Sequence, residues 1–146
     1  MRHPRRILTA ALIAGATLSA GAAVAADYSG YSGADLYHRF CESCHGRGGR
    51  GDGPVASTLA APLPDLTRIA ARHGGKYPDN WVYRVIDGRE VIYAHGLREM
   101  PVWGVELWRE QGADVTAGEK TRDAIASLVE FLKGLQAPRA LGDPGH

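Results

Sequence analysis

The chain has two cysteines, both inside one five-residue stretch, Cys41-Glu42-Ser43-Cys44-His45. A redox dithiol of the thioredoxin kind uses the same spacing, but it needs a βαβ context. No segment here alternates apolar and polar residues as a half-buried strand would. Structural zinc takes four closely spaced ligands, and two cysteines with scattered histidines do not supply that pattern. A disulfide closed across two residues is strained. Cys-x-x-Cys-His is, however, the signature of covalent haem attachment. Two thiols on one helical turn match the separation of the two haem vinyl groups, and the adjoining histidine is placed to direct its imidazole at the iron. The motif predicts one covalent haem c on Cys41 and Cys44, with His45 as an axial ligand.

The composition agrees with a buried prosthetic group. A chain of 146 residues is enough for one domain and too short for two comfortable ones. With 19 glycines and only 8% aromatic residues, the protein alone would form a thin core. A haem supplies the missing apolar mass.

The N-terminus reads as an export signal. Arg2, Arg5 and Arg6 precede an uncharged run from Ile7 to Ala26 that includes Ala23-Val24-Ala25, the small-residue pattern of a signal-peptidase site. Residues 1–25 are therefore expected to be a signal peptide, cut between Ala25 and Ala26. The competing reading is an uncleaved membrane anchor, because about 20 uncharged residues just suffice to span a bilayer. Cleavage is favoured, since Ala, Gly, Thr and Ser dominate and the strongly apolar cluster is confined to Ile7–Ile13. Removing the segment leaves 14 basic and 16 acidic side chains, a net charge of −2. That balance, with no basic run, excludes a nucleic-acid-binding role. The expected location is a bacterial periplasm, with membrane contact only through partners or an uncleaved anchor.

Along the mature chain, residues 26–32 read as a flexible lead-in, 33–138 as the folded domain and 139–146 as a flexible tail. Ser32 and Asp35 make a capping box from which a helix runs into the cysteine motif. Leu36, Tyr37, Phe40, Cys41 and Cys44 share one face of it. Gly46 to Gly53 holds five glycines in eight residues and is loop. Asp65 caps a short helix to about Arg72. Pro78-Asp79-Asn80 opens another, Trp81 to Asp87, closed by Gly88. Tyr93 to Gly104 reads as irregular. A helix opened by the capping box Thr116–Glu119 carries the stripe Ile125, Leu128, Val129, Leu132 and Leu135 and stops before Pro138. The fold class is all-α.

These features resemble the class I c-type cytochromes over nearly all of the mature chain, specifically the monohaem bacterial periplasmic kind. Gly33 and Tyr37 resemble the family's Gly-x-x-x-aromatic on the first helix, and Leu128 and Phe131 its Leu-x-x-aromatic on the last. The resemblance implies a cytochrome c fold, in which those two helices cross while short helices and loops wrap one haem. Pro64-Asp65-Leu66 resembles the family's Pro-x-Leu segment. Its proline carbonyl would accept the free N–H of the proximal histidine, here His45, with Pro54 the rival acceptor.

The sixth ligand is expected from Met100, the one methionine of the mature chain, 55 residues beyond His45. It stands in Met100-Pro101 within an irregular stretch, and the family's axial methionine commonly occupies such a Met-Pro loop. His95 and His73 are the alternatives, and a lone methionine can also be core filler. Trp81, Tyr93, Arg89, Arg98 and Trp103 are read as packing or solvated groups, some of them within reach of haem propionates. Six-coordinate His/Met iron leaves no open site for a substrate, and thioether ligation raises the potential. The expected function is one-electron transfer between donor and acceptor proteins, with no catalysis. A fixed subunit of a larger oxidoreductase is the alternative; less favoured is a haem enzyme or gas sensor with a labile sixth ligand.

Overall fold

Gly33–Phe40 forms α1, Glu42–His45 α2, Ile69–Arg72 α3, Asp79–Asp87 α4, Trp103–Glu110 α5 and Val115–Gly134 α6, with 3-10 turns at Ala56–Thr58 and Leu66–Arg68. The computed structural model describes residues 24–90 and 100–138, among which there is no strand. None of the described helices is long and apolar enough to cross a membrane. Residues 1–23 of the expected signal peptide 1–25, residues 91–99 with Tyr93, His95 and Arg98, and residues 139–146, read above as a flexible tail, lie outside the described residues.

The long helix α6 is the centre on which α1, α4 and α5 pack. Its apolar stripe explains this: Ile125, Leu128, Val129 and Leu132 are buried, and Ala117, Thr121 and Ala124 extend the buried face toward the N-terminus. α1 presents Leu36 and Tyr37, both fully buried, from the opposite side. The two helices cross at Gly33. A Cβ built there would lie 2.1 Å from the Ser127 carbonyl oxygen and 2.9 Å from Phe131 Cβ. Only glycine permits that backbone approach, and Tyr37 then reaches the Phe131 ring at 5.0 Å.

Several local signals act as the sequence implies. Ser32 Oγ accepts the Asp35 N–H while the Asp35 carboxylate accepts the Ser32 N–H (3.2 and 2.9 Å), closing the capping box. Asp65 caps its short helix by accepting the Thr67 N–H at 2.8 Å, although the first turn is 3-10. Gly88, left-handed at φ 93°, ends α4.

Four features differ from the sequence reading. The first helix breaks at Cys41, so that α1 and α2 are separate. Asp114 caps α6 by accepting the Ala117 N–H at 2.7 Å, two residues before Thr116. The stretch read as irregular gives way to α5 at Trp103, whose Leu107 is buried. Finally, residues 26–32 do not hang free. Tyr28 is 5% exposed, meets Phe40 edge-on at 5.3 Å and donates to the Glu110 carboxylate. The Ala26 N–H donates to the Glu110 carbonyl (2.8 Å), and Lys120 Nζ reaches the Asp27 carboxylate (2.9 Å). A buried aromatic and three polar ties to α5 and α6 outweigh the loop-like composition of the segment.

Gly33→Leu is expected to overpack the crossing and lower the unfolding free energy by about 1–3 kcal/mol; urea denaturation of the purified protein measures it. The N-terminal tie should also be pH-dependent. The Ser29 N–H and Lys120 lower the Asp27 carboxyl from 3.8 to about 2. A group with a depressed folded pKa stabilises above its unfolded value and loses that contribution as pH falls through the folded one. Melting temperature should therefore fall between about pH 4 and pH 2 less steeply in Asp27→Asn than in the unaltered chain.

Candidate functional site

The cysteine motif begins where α1 ends. The Cys41 N–H completes the last turn of α1 by donating to the Tyr37 carbonyl at 2.9 Å. Cys41 then caps α2, whose single turn carries Cys44 and His45, closed by bonds from His45 N and Gly46 N to the carbonyls of Cys41 and Glu42 (2.9 and 2.8 Å). A one-turn helix is marginal alone. This one is held from outside, because the glycine loop returns and caps it. The N–H groups of Val55, Gly53 and Gly51 donate to the carbonyls of Ser43, Cys44 and His45 at 3.1, 3.1 and 2.9 Å. The approach is close enough to require glycine: a Cβ at Gly53 would lie 2.4 Å from the Ser43 oxygen. From the other side the buried Tyr37 hydroxyl donates to the Gly46 carbonyl at 2.7 Å.

No disulfide joins Cys41 and Cys44. Burial and then the neighbouring Cys44 push the Cys41 thiol up to about 12, which favours the protonated thiol and makes it a poor thiolate nucleophile. A thioether, uncharged at any pH, suits the same surroundings. Burial also lowers the His45 pKa, which favours the neutral imidazole that a metal ligand must be. Its Nδ1 is buried and has no hydrogen-bond partner. Buried polar atoms are nearly always satisfied, so such an orphan needs a specific explanation. The donor set fits a haem: two sulfurs on one helical turn, an imidazole whose neutral form burial favours, and apolar neighbours in place of further polar ligands. Among the described residues no group of three or more His, Cys, Asp or Glu side chains is placed to hold a metal ion in another way.

Met100 is partly buried and packs against the same core cluster as Cys41. Trp103, three residues on, meets the ring of Phe40 at 5.3 Å, which brings the Met100 segment toward the end of α1 where the motif begins. The other histidines are differently engaged. His73, exposed after α3, lies against Trp81 at 4.8 Å and its Nδ1 donates to the Ile69 carbonyl at 2.9 Å. His38 Nδ1 is 2.5 Å from the Glu42 carboxylate on the surface. The bond from His45 to the carbonyl of Pro64 or Pro54 is not formed here, since Nδ1 has no partner. Arg89 pairs with Asp87 and lies 5.7 Å from the Tyr83 ring.

The sequence reading missed the capping of α2 by the glycine loop. The dense glycines at 46–53 were its visible trace, but which carbonyls they approach depends on how the loop folds back.

Residues 30–132 match the family described as cytochrome C oxidase, cbb3-type, subunit III. The chain belongs to that family. It is thus a monohaem c-type cytochrome of all-α fold whose cofactor is covalent haem c, in a class of domain that serves haem-based electron transfer with redox partner proteins and is usually exported. No curated protein and no solved structure matches it.

Tyr37→Phe should strand the buried Gly46 carbonyl and cost about 1–3 kcal/mol. Chemical denaturation reads the loss, and a smaller effect would mean that water reaches the carbonyl.

Proposed function

We propose that this chain is an exported one-electron carrier whose single haem c is held by thioethers from Cys41 and Cys44, with His45 and Met100 as axial ligands. The observation that supports it best is the placement of Cys41, Cys44 and His45 on one short turn, where burial favours the neutral imidazole. When bound, the haem supplies a one-electron couple. The chain's own groups do the rest. α2 fixes the two sulfurs on one helical turn, and the Gly51–Val55 amides hold that turn to the loop. Cys41 and Met100, both partly buried, pack against one apolar core cluster. A soft thioether from Met100 favours the reduced metal and fills the position a substrate would need, which is why a carrier is preferred over an enzyme or gas sensor. Residues 1–25 act as the signal peptide in this reading, so that the mature protein starts at Ala26 in the periplasm.

A second reading has specific support. The matched family is named for a subunit of an oxidase, and in this second reading the same domain serves while docked permanently in a larger complex. Co-purification under native conditions separates the two: a shuttle elutes alone.

The test joins attachment to ligation. The mature protein, denatured, should weigh one haem more than its sequence and keep its colour in acid-acetone. Haem that extracts sinks the proposal. In the intact ferric protein a weak sulfur-to-iron band in the far red is expected, and the ferrous form should take CO slowly. Met100→Ala should abolish the band, lower the potential and speed CO binding. An unchanged band would make Met100 core filler.

A further inference from the structure

Helix α5 ends with its carbonyls fully accounted for. Those of Leu107, Trp108 and Arg109 accept the N–H groups of Gln111, Ala113 and Gly112 in the turn that follows, at 3.2, 2.9 and 3.2 Å. The Glu110 carbonyl is served from elsewhere in the chain, by the Ala26 N–H at 2.8 Å. A helix leaves its last four carbonyls without intrahelical partners. Ala26 thus supplies the one cap that the local turn does not.

The same nitrogen marks a boundary of burial. Val24 is 95% exposed and Ala25 is exposed, whereas Ala26 is partly buried and packs on the core cluster. Beyond it, Tyr28 is buried and donates to the Glu110 carboxylate, and Asp27 pairs with Lys120 of α6. The chain therefore enters the fold at the residue that the small-residue pattern makes the first of the mature protein. Hydrolysis of the Ala25–Ala26 bond by a signal peptidase consumes one water. Ala25 departs with a carboxylate, and Ala26 keeps the nitrogen, which is protonated at neutral pH. One N–H becomes three, and a positive charge arrives where the α5 macrodipole has its negative end.

We infer that the Ala26 ammonium created by signal-peptide removal seats on the Glu110 carbonyl, so that processing turns a neutral cap of α5 into a charged one and fastens the N-terminal segment. The inference rests on the cleavage reading above and names what cleavage does to the fold. The groups facing the segment are Glu110 of α5, Lys120 of α6, Arg39 of α1 (5.8 Å from the Tyr28 ring centre), and the segment's own Asp27 and Tyr28. Two carboxylates and two cations balance, which leaves the carbonyl end of α5 to favour the ammonium. An α-amino group in an unfolded chain titrates at about 7.7–8.0, and this one is raised above that in the fold. Its stabilisation is complete below the unfolded value and is lost as pH rises through the folded one.

Two forms of the holoprotein test it, made with a foreign signal sequence whose removal leaves either Ala26 or Val24 as the first residue. The Val24 form keeps the Ala26 amide and its bond to Glu110, and moves only the charge. At about pH 6.5 the Ala26 form should melt about 3 °C higher, the size of one charge at a helix end. That gap should close as pH rises past the folded amine. In the Ala26 form the Cβ resonance of carbon-13-labelled Ala26 should titrate at higher pH than in the same protein unfolded by urea. The inference is overturned if the two forms melt together at about pH 6.5, if the gap persists unchanged to about pH 10, or if the Ala26 resonance titrates alike folded and unfolded. N-terminal sequencing of the natural product decides the cleavage reading separately. A start other than Ala26 sinks that reading, while the two engineered forms still decide the seat.

Discussion

Where α1 crosses α6, the absence of one methyl group lets the Gly33 backbone rest on the Ser127 carbonyl, with room for less than a single added carbon. That contact sets the distance between the two helices. From it follow the burial of Leu36 and Tyr37 and the packing of Tyr37 on Phe131. Tyr37 also carries the constraint to the other end of α1. Its hydroxyl is the buried donor to the Gly46 carbonyl, so the crossing and the loop after the cysteine motif share one side chain. A shift at the crossing would move the ring and leave a buried carbonyl unpaired.

The motif turn shows the same economy of polar groups. Three carbonyls at the end of α2 receive amides from a loop that follows it in sequence. What remains unsatisfied is His45 Nδ1, inside surroundings that keep imidazole neutral and the Cys41 thiol protonated. Burial therefore disfavours charge at Cys41 and at His45. An apolar macrocycle with uncharged thioether links is compatible with that; a zinc thiolate cluster is not, because its anionic sulfurs would have to be desolvated.

The two faces of the molecule divide the remaining work. α5, α6 and the N-terminal segment are tied to one another through Tyr28, Ala26 and Asp27 and carry the acidic excess. The glycine loop and α3 carry the basic excess beside the cysteine motif. Since exposed charges contribute little to stability, this segregation does little for the fold.

By itself the sequence determined the attachment motif and the local frame: Cys41-Glu42-Ser43-Cys44-His45, the capping box at Ser32, the cap at Asp65 and Gly88 after α4. Each is a local signal, a residue type whose dihedral, capping or bonding preference needs no distant partner to be read. Tertiary structure decided what depends on distant neighbours. α5 has no side-chain cap and carries Gly104 in its first turn, so its sequence argues weakly for a helix; it forms where Leu107 can be buried and α4 and α6 pack against it. Asp114 prevailed over Thr116 as the cap of α6, a choice that two adjacent capping residues leave open locally. Tyr28 reads as loop until α1 and α5 supply a pocket for its ring and Glu110 an acceptor for its hydroxyl. The break at Cys41 has the same origin, because the amides that hold α2 come from residues 51–55, and only the returning chain brings them there.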